Sequence, residues 1–273
     1  MQLFKLFGIG LFAFMLSSAN ADEFSDAKSS YVMGNYEEAI TKFKELAGRG
    51  NAEAAFWLGL TYERDVGVPQ DYLEAAKWYE VGALKGGIKS QYSLGRLYLY
   101  GLGVQEDYAQ AAKWFLLAAS QGEVESQKFL GYIYNSGKGL DRDVEEAAKW
   151  FELAARQGNS DAQFNLGVLY YQGQGLKQDF ALAREWFQKA SVQGHAEAQS
   201  FLGAMYMGAR GVKTNNKYAY ILFTLAYMNG SERAAGGKDI TAKWLDASSL
   251  LDAQQVIKLC LDTDYQKCYP MNQ

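Results

Sequence analysis

The feature that most constrains this chain is an internal period of 36 residues. Leu-Gly pairs stand at Leu58-Gly59, Leu94-Gly95, Leu130-Gly131, Leu166-Gly167 and Leu202-Gly203, each 36 residues after the last. Tyr62, Tyr98, Tyr134, Tyr170 and Tyr206 keep the same spacing, as do Trp78, Trp114, Trp150 and Trp186, with Leu222 in the fifth slot. Gly50, Gly86, Gly122, Gly158, Gly194 and Gly230 close the units. Self-similarity at such a period is the signature of a stacked repeat architecture.

Within a unit the pattern reads as two helices. Ala54, Leu58 and Tyr62 recur at i, i+4 and i+8 and form one apolar stripe. Gly-x-Gly turns follow at 101–103, 137–139 and 173–175, where glycine takes the positive φ that such a turn requires. Asp71, Asp107, Asp143 and Asp179 then stand where a second helix begins, placed to accept from free backbone N–H groups. That helix carries Ala75, Ala76, Trp78 and Tyr79 in the first unit. Ordering one unit costs on the order of 50 kcal/mol of conformational entropy. Each large apolar side chain returns only about 1.5–3 kcal/mol on burial, so a unit cannot fold alone and stacking is obligatory.

The string A-x-x-x-L-G-x-x-Y-x-x-G-x-G-V-x-x-D-x-x-x-A-x-x-W-[FY]-x-x-A-A-x-x-G resembles the Sel1-like repeat, a relative of the tetratricopeptide repeat. The resemblance implies an all-α, right-handed α/α superhelical solenoid. It sets five repeats at 51–86, 87–122, 123–158, 159–194 and 195–230, after a tetratricopeptide-like cap at 22–50 that includes Asn35-Tyr36-Glu37-Glu38-Ala39-Ile40. The fifth unit departs from the pattern, with Ala209-Arg210-Gly211 at the turn, Asn215 for Asp and Leu222 for Trp. Residues 231–273 read as its cap, a helix from Asp239 to Leu261 with Ile240, Trp244, Leu251, Val256 and Leu259 as its apolar residues and a polar outer face.

The resemblance also implies that first helices line a concave side. On a helical wheel, burial of 54, 55, 58, 59, 61 and 62 leaves 53, 57, 60 and 64 on the opposite face. Through the repeats that face holds Trp57, Leu60, Arg64, Ser93, Arg96, Tyr100, Phe129, Tyr132, Asn165, Val168, Gln172 and Phe201. Aromatic residues and Arg are the types that anchor protein interfaces. The expected ligand is therefore a protein or peptide.

Residues 1–21 read as a cleaved export signal: Lys5, the apolar run Leu6–Leu16, and Ala19-Asn20-Ala21 at the cleavage site. Nothing after residue 21 is long and apolar enough to span a membrane. Removing Lys5 takes the formal charge from -4 to -5 (-4 minus the one Lys), and with no basic run the chain has no electrostatic footprint for nucleic acid. The two cysteines, Cys260 and Cys268, are expected to pair in an oxidising compartment, most simply a periplasm, with secretion as the other destination.

No catalytic set stands out. The sole histidine, His195, reads as an exposed residue at a repeat junction, in the slot of Asn51, Glu123 and Asn159. Gly-x-Gly here lacks the strand and third glycine of a dinucleotide loop. No cofactor or metal is expected, and the isolated chain is expected to be monomeric. The leading reading is a non-catalytic adaptor or regulator in the cell envelope. A structural subunit of an envelope complex is a second. A β-lactam- or peptidoglycan-related hydrolase, known among cysteine-rich Sel1-like proteins, is a third, and this chain lacks that subgroup's disulfide in every repeat.

Overall fold

The computed structural model describes residues 22–265, so the stretch read as an export signal and Cys268 lie outside the described residues. The chain divides into two compact units, at 1–126 and 127–273. Unit 1 runs from α1 (22–32) through α2 (Tyr36–Gly48), α3 (Ala52–Glu63), α4 (Tyr72–Leu84), α5 (Ile88–Tyr100) and α6 (Tyr108–Ser120) to the start of α7 (Val124–Ser136). Unit 2 continues through α8 (Val144–Arg156), α9 (Ser160–Gln172), α10 (Phe180–Ser191), α11 (Ala196–Met207), α12 (Asn216–Met228), α13 (Ala234–Ala242) and α14 (Ala247–Asp262). The architecture is an all-helical solenoid, and among the described residues there is no strand.

Local chemistry sets each boundary. Asp71, Asp107, Asp143, Asp179 and Asn215 cap the second helices by accepting backbone N–H groups two or three residues on, at 2.9–3.0 Å. Each cap residue is itself pinned, because its own N–H donates to the carbonyl of the repeated tyrosine at 62, 98, 134, 170 or 206. Four of the five first helices are capped too, Gly87 at the start of α5 having no side chain to do so. Asn51, Glu123, Asn159 and His195 accept from the N–H of Ala54, Ser126, Ala162 and Ala198. His195 is thus a helix cap with a side chain only 15% exposed, where the sequence suggested an exposed junction residue.

In the turns the paired glycines hold φ between 65° and 76°. The first unit has Asp65 (φ 57°) and the fifth Ala209 (φ 55°) at the first of these positions. A Cβ in the left-handed region costs about 1–2 kcal/mol, and the Ala209 side chain offers no hydrogen bond in return. Ala209→Gly is expected to raise stability by about 1 kcal/mol, read as a shifted urea midpoint with an unchanged slope.

The core of each repeat is the ring that follows the tryptophan. Tyr79, Phe115, Phe151 and Phe187 are fully buried, and each lies on the glycine of the Leu-Gly pair in its own repeat. A Cβ at Gly59, Gly95, Gly131 or Gly167 would meet that ring at 2.5–2.7 Å. The tryptophans are only partly buried. Trp114 of α6 packs on the cluster that Ala75, Ala76, Tyr79 and Ala83 of α4 form with Leu94 and Leu97 of α5, joining one repeat to the next.

A second stacking device is polar. Gln91, Gln127, Gln163 and Gln199 are buried, and each accepts from the residue 30 positions on: Gln121, Gln157, Gln193 and Asn229, at 2.8–2.9 Å. Gln91, Gln163 and Gln199 also donate to a carbonyl eight residues back, at 3.1–3.2 Å. Each such glutamine ties together two second helices through the first helix between them. At the C-terminal end Tyr265 closes the series, donating from its hydroxyl to Asn229 Oδ1 at 2.8 Å.

The C-terminal segment corrects the sequence reading in two ways. The single helix expected over Asp239–Leu261 is two, α13 and α14, because Asp246 accepts from Ser249 N–H at 2.7 Å and starts a new helix. The buried face also differs. Ile240, Trp244, Leu251 and Leu259 are 44–57% exposed, while Ala253, Ile257, Cys260 and Tyr265 are buried with α10, α11 and α12. The inner stripe of α14 follows 253, 257 and 260 because it packs on α12. Counting the largest aliphatic residues selected the wrong side, and the outer side is not polar.

Candidate partner-binding face

The exposed side of the first helices is built differently in the two units. In unit 1, Trp57 faces the cap. Its ring stacks on Phe43 at 6.0 Å and 16°, meets Tyr31 edge-on at 5.1 Å, and carries Lys28 Nζ at 5.7 Å. It therefore anchors α1 and α2 on the first repeat. Leu60 beside it is half-buried.

Glu63, which the sequence reading passed over, organises the next part. Its carboxylate accepts from the Tyr79 hydroxyl at 2.6 Å and pairs with Arg96 at 3.1 Å. Burial and the adjacent carboxylate raise the Tyr79 phenol far above its usual value, so it stays a neutral donor. Arg96 is thereby held in place, with its guanidinium 5.9 Å from the Tyr92 ring. Lys89 and Glu53 make a further repeat-to-repeat pair at 3.3 Å. Arg64, at the end of α3, and Tyr100, the last residue of α5 and 55% exposed, are the two predicted residues that unit 1 presents to solvent.

In unit 2, Phe129 and Tyr132 meet edge-on at 6.5 Å, and Tyr132 in turn packs on the buried Phe151. Asn165 Nδ2 donates to the Tyr132 hydroxyl at 3.1 Å. Val168 packs on the main cluster of this unit, and Phe201 lies among Phe164, Tyr171 and Phe187 at 5.3–5.9 Å. Gln172 ends α9 exposed. Phe201, like Trp57, is chiefly a packing residue.

Asp161 forms the charged centre of this face. It pairs with Lys128 Nζ at 3.1 Å and with His195 Nε2 at 3.4 Å, while the imidazole stacks on Phe164 at 4.8 Å. With Nδ1 accepting from Ala198, Nε2 is the ring nitrogen that donates to Asp161. That hydrogen bond and Lys128 outweigh burial and hold the carboxyl down at about 2. A folded value below the unfolded one stabilises the fold fully above about pH 4, and the contribution is lost as pH falls toward 2. Since the Asp161 side chain is 48% exposed, screening reduces the effect to about 1 kcal/mol. Asp161→Asn should therefore lower the melting temperature at pH 7 and shrink its difference from wild type at pH 2.5.

These pairings, at spacings of 33 and 36 residues, were visible in principle as complementary residues one repeat apart. Among the described residues no group of three or more His, Cys, Asp or Glu could hold a metal ion, and no helix is long and apolar enough to cross a membrane.

The Sel1 repeat family model matches residues 52–87, 88–123, 124–159, 160–195 and 196–231. The chain belongs to the Sel1 repeat family. Among solved structures, a Sel1 repeat protein from Oxalobacter formigenes is similar at 29% identity and a TM-score of 0.71, covering 78% of this chain and 85% of that one. Also similar, at 24% identity and a TM-score of 0.44, is c5321, a protective antigen of uropathogenic Escherichia coli, with 93% of this chain and 72% of that one covered. A Sel1 repeat protein from Klebsiella pneumoniae follows at 22% identity and a TM-score of 0.45, covering 74% and 99%. No curated protein matches the chain by sequence. The Sel1 repeat is typically a non-catalytic scaffold for protein–protein interaction, and this chain carries that scaffold in five copies.

Proposed function

We propose that this Sel1 repeat protein is an exported adaptor or regulator of the cell envelope that binds a partner protein or peptide along its first-helix face, the side expected to be concave. One observation carries the reading. The buried positions repeat almost unchanged, while the solvent-facing ends of the first helices vary: Arg64, Tyr100, Ser136, Gln172 and Gly208 occupy one repeat-equivalent position. A frame held constant with a surface free to differ suits recognition of a particular partner.

The binding residues in this reading are Arg64, Arg96 and Tyr100 in unit 1, with Leu60 at their edge, and Phe129, Tyr132, Asn165 and Gln172 in unit 2. Trp57, Val168 and Phe201 support them. Export places the chain in a periplasm, where Cys260 and Cys268 pair; N-terminal sequencing of the native protein should begin at Asp22.

The test is capture of a partner from the envelope by the tagged mature chain, with Arg64→Ala and Tyr100→Ala combined as the control. These exposed residues can be truncated without loss of fold, unlike Trp57. Affinity for the captured protein should fall by at least about 2 kcal/mol in the variant if either is an anchor. Equal capture and equal affinity would exclude the unit 1 face.

A further inference from the structure

The four side chains that cap first helices are not chemically alike. Asn51 and Asn159 accept through amide oxygens, which gain no proton in ordinary buffers, and Glu123 accepts through a carboxylate. His195 accepts through a ring nitrogen, Nδ1, at 3.2 Å from the backbone nitrogen of Ala198. An imidazole nitrogen can accept only while it carries no proton, and imidazole is the side chain that ordinarily gains one between pH 5 and 8. His195 is also the only histidine in the chain. We propose that it is a pH-sensitive helix cap, closed at neutral pH and open in mild acid, at the joint between α9 and α11.

The surroundings of the ring decide which of its two contacts survives a second proton. Nε2 faces Asp161 of α9 at 3.4 Å, and Lys128 of α7 reaches the same carboxylate at 3.1 Å. Glu197 of α11 is engaged elsewhere, accepting from the Ser231 hydroxyl at 2.9 Å, and Lys189 of α10 lies over the Trp186 ring. A proton on Nδ1 sets two donors against each other, the ring N–H and the Ala198 N–H, and brings positive charge to the positive end of α11. Asp161, whose carboxyl is held down at about 2, stays ionised throughout and grips a charged ring more tightly than an uncharged one. The Asp161 contact is therefore kept and the cap is lost. Among the described residues the Ala198 N–H has no other acceptor, because the first bond within α11 runs from Gln199 N–H to His195 O at 3.1 Å. The ring stacks on Phe164 at 4.8 Å, and Phe164 meets Phe201 of α11 at 5.5 Å, so the cap sits where the two first helices pack.

The experiment is amide hydrogen exchange of the full mature chain, read by NMR at pH 7.5 and 5.5, with each amide compared with its own unprotected rate at that pH and the ring resonances of His195 followed alongside. Protection of Ala198 is expected to fall by about fivefold or more in the acid sample, the size of one helix cap, and to follow the titration of the ring. Ala54 and Ala162, capped by Asn51 and Asn159, should keep theirs. His195→Asn installs the residue those two repeats already use and should make the protection of Ala198 the same at both pH values. Unchanged protection of Ala198 while the wild-type ring titrates overturns the proposal, since the ring would then gain its proton without giving up the cap. So does an equal acid loss in His195→Asn, or at Ala54 and Ala162, which would mean a general loosening, and so does a ring that gains no proton above pH 5.5.

Discussion

Truncating Phe151 to alanine is expected to cost about 3–5 kcal/mol, more than any other single change considered. The ring is fully buried, sits on Gly131 and is met edge-on by Tyr132 at 5.3 Å, so nothing nearby can collapse into the space. The reciprocal change, Gly131→Val, should do comparable harm for the opposite reason. Its Cβ alone would approach the ring to 2.5 Å, and overpacking of a rigid core costs about 1–3 kcal/mol or more. Both are read as urea midpoints. The fifth repeat supplies an internal contrast, since a Cβ at Gly203 would stand 3.2 Å from Phe223, so Gly203→Ala should be much milder than Gly131→Ala. Equal losses at the two glycines would contradict the packing described.

The second large effect is polar. Gln163→Leu is expected to destabilise by about 1–2 kcal/mol, although it replaces a buried polar side chain by an apolar one of similar size. The glutamine donates to Ala155 O and accepts from Gln193 Nε2, and leucine removes both bonds, leaving Ala155 O with Gly158 N–H and Gln193 Nε2 with Lys189 O. Ala55 occupies the equivalent slot in the first repeat, where Lys85 takes the place of Gln193, so the first repeat holds neither half of the pair. The double variant Gln163→Leu with Gln193→Leu should therefore recover part of the loss, and a double-mutant cycle measures how much. Strict additivity would show that the hydrogen bond does not couple the two positions.

How far the sequence carries can be seen from these same residues. The helix pairs, the Asp caps and the Gly-x-Gly turns were legible because one period fixes where chemically obligatory residues must fall. The aromatic residue after each repeat tryptophan, Tyr79, Phe115, Phe151 or Phe187, was harder to rank. Both rings lie on one helix, and only the glycine opposite shows which is enclosed. The glutamine ladder was missed because its partners stand 30 residues apart, off the 36-residue period on which the reading relied. His195 was misjudged because its slot was classed by neighbourhood and not by what Asn51, Glu123 and Asn159 have in common, an acceptor for a helix N-terminus.

The face was only partly legible for a related reason. A helical wheel separates inside from outside on one helix, but neighbouring helices decide how much of the outside remains. The cap covers Trp57, Phe201 lies among three aromatic neighbours, and Glu63 holds Arg96 in place. What stays open lies at the helix ends, at Arg64, Tyr100 and Gln172. In the C-terminal segment no repeat fixed the register, so the size of Leu251 and Leu259 outweighed the spacing of Ala253, Ile257 and Cys260.

The central claim is that the open ends of the first helices meet a partner, and site-specific photocrosslinking in the native envelope tests it most directly. A photoreactive residue would be placed at Tyr100, at Gln172, and at Lys258 on the exposed side of α14 as the reference position. The account predicts that one and the same protein is joined at Tyr100 or Gln172 and not at Lys258. Identical products from all three positions, or none from Tyr100 and Gln172, would contradict it.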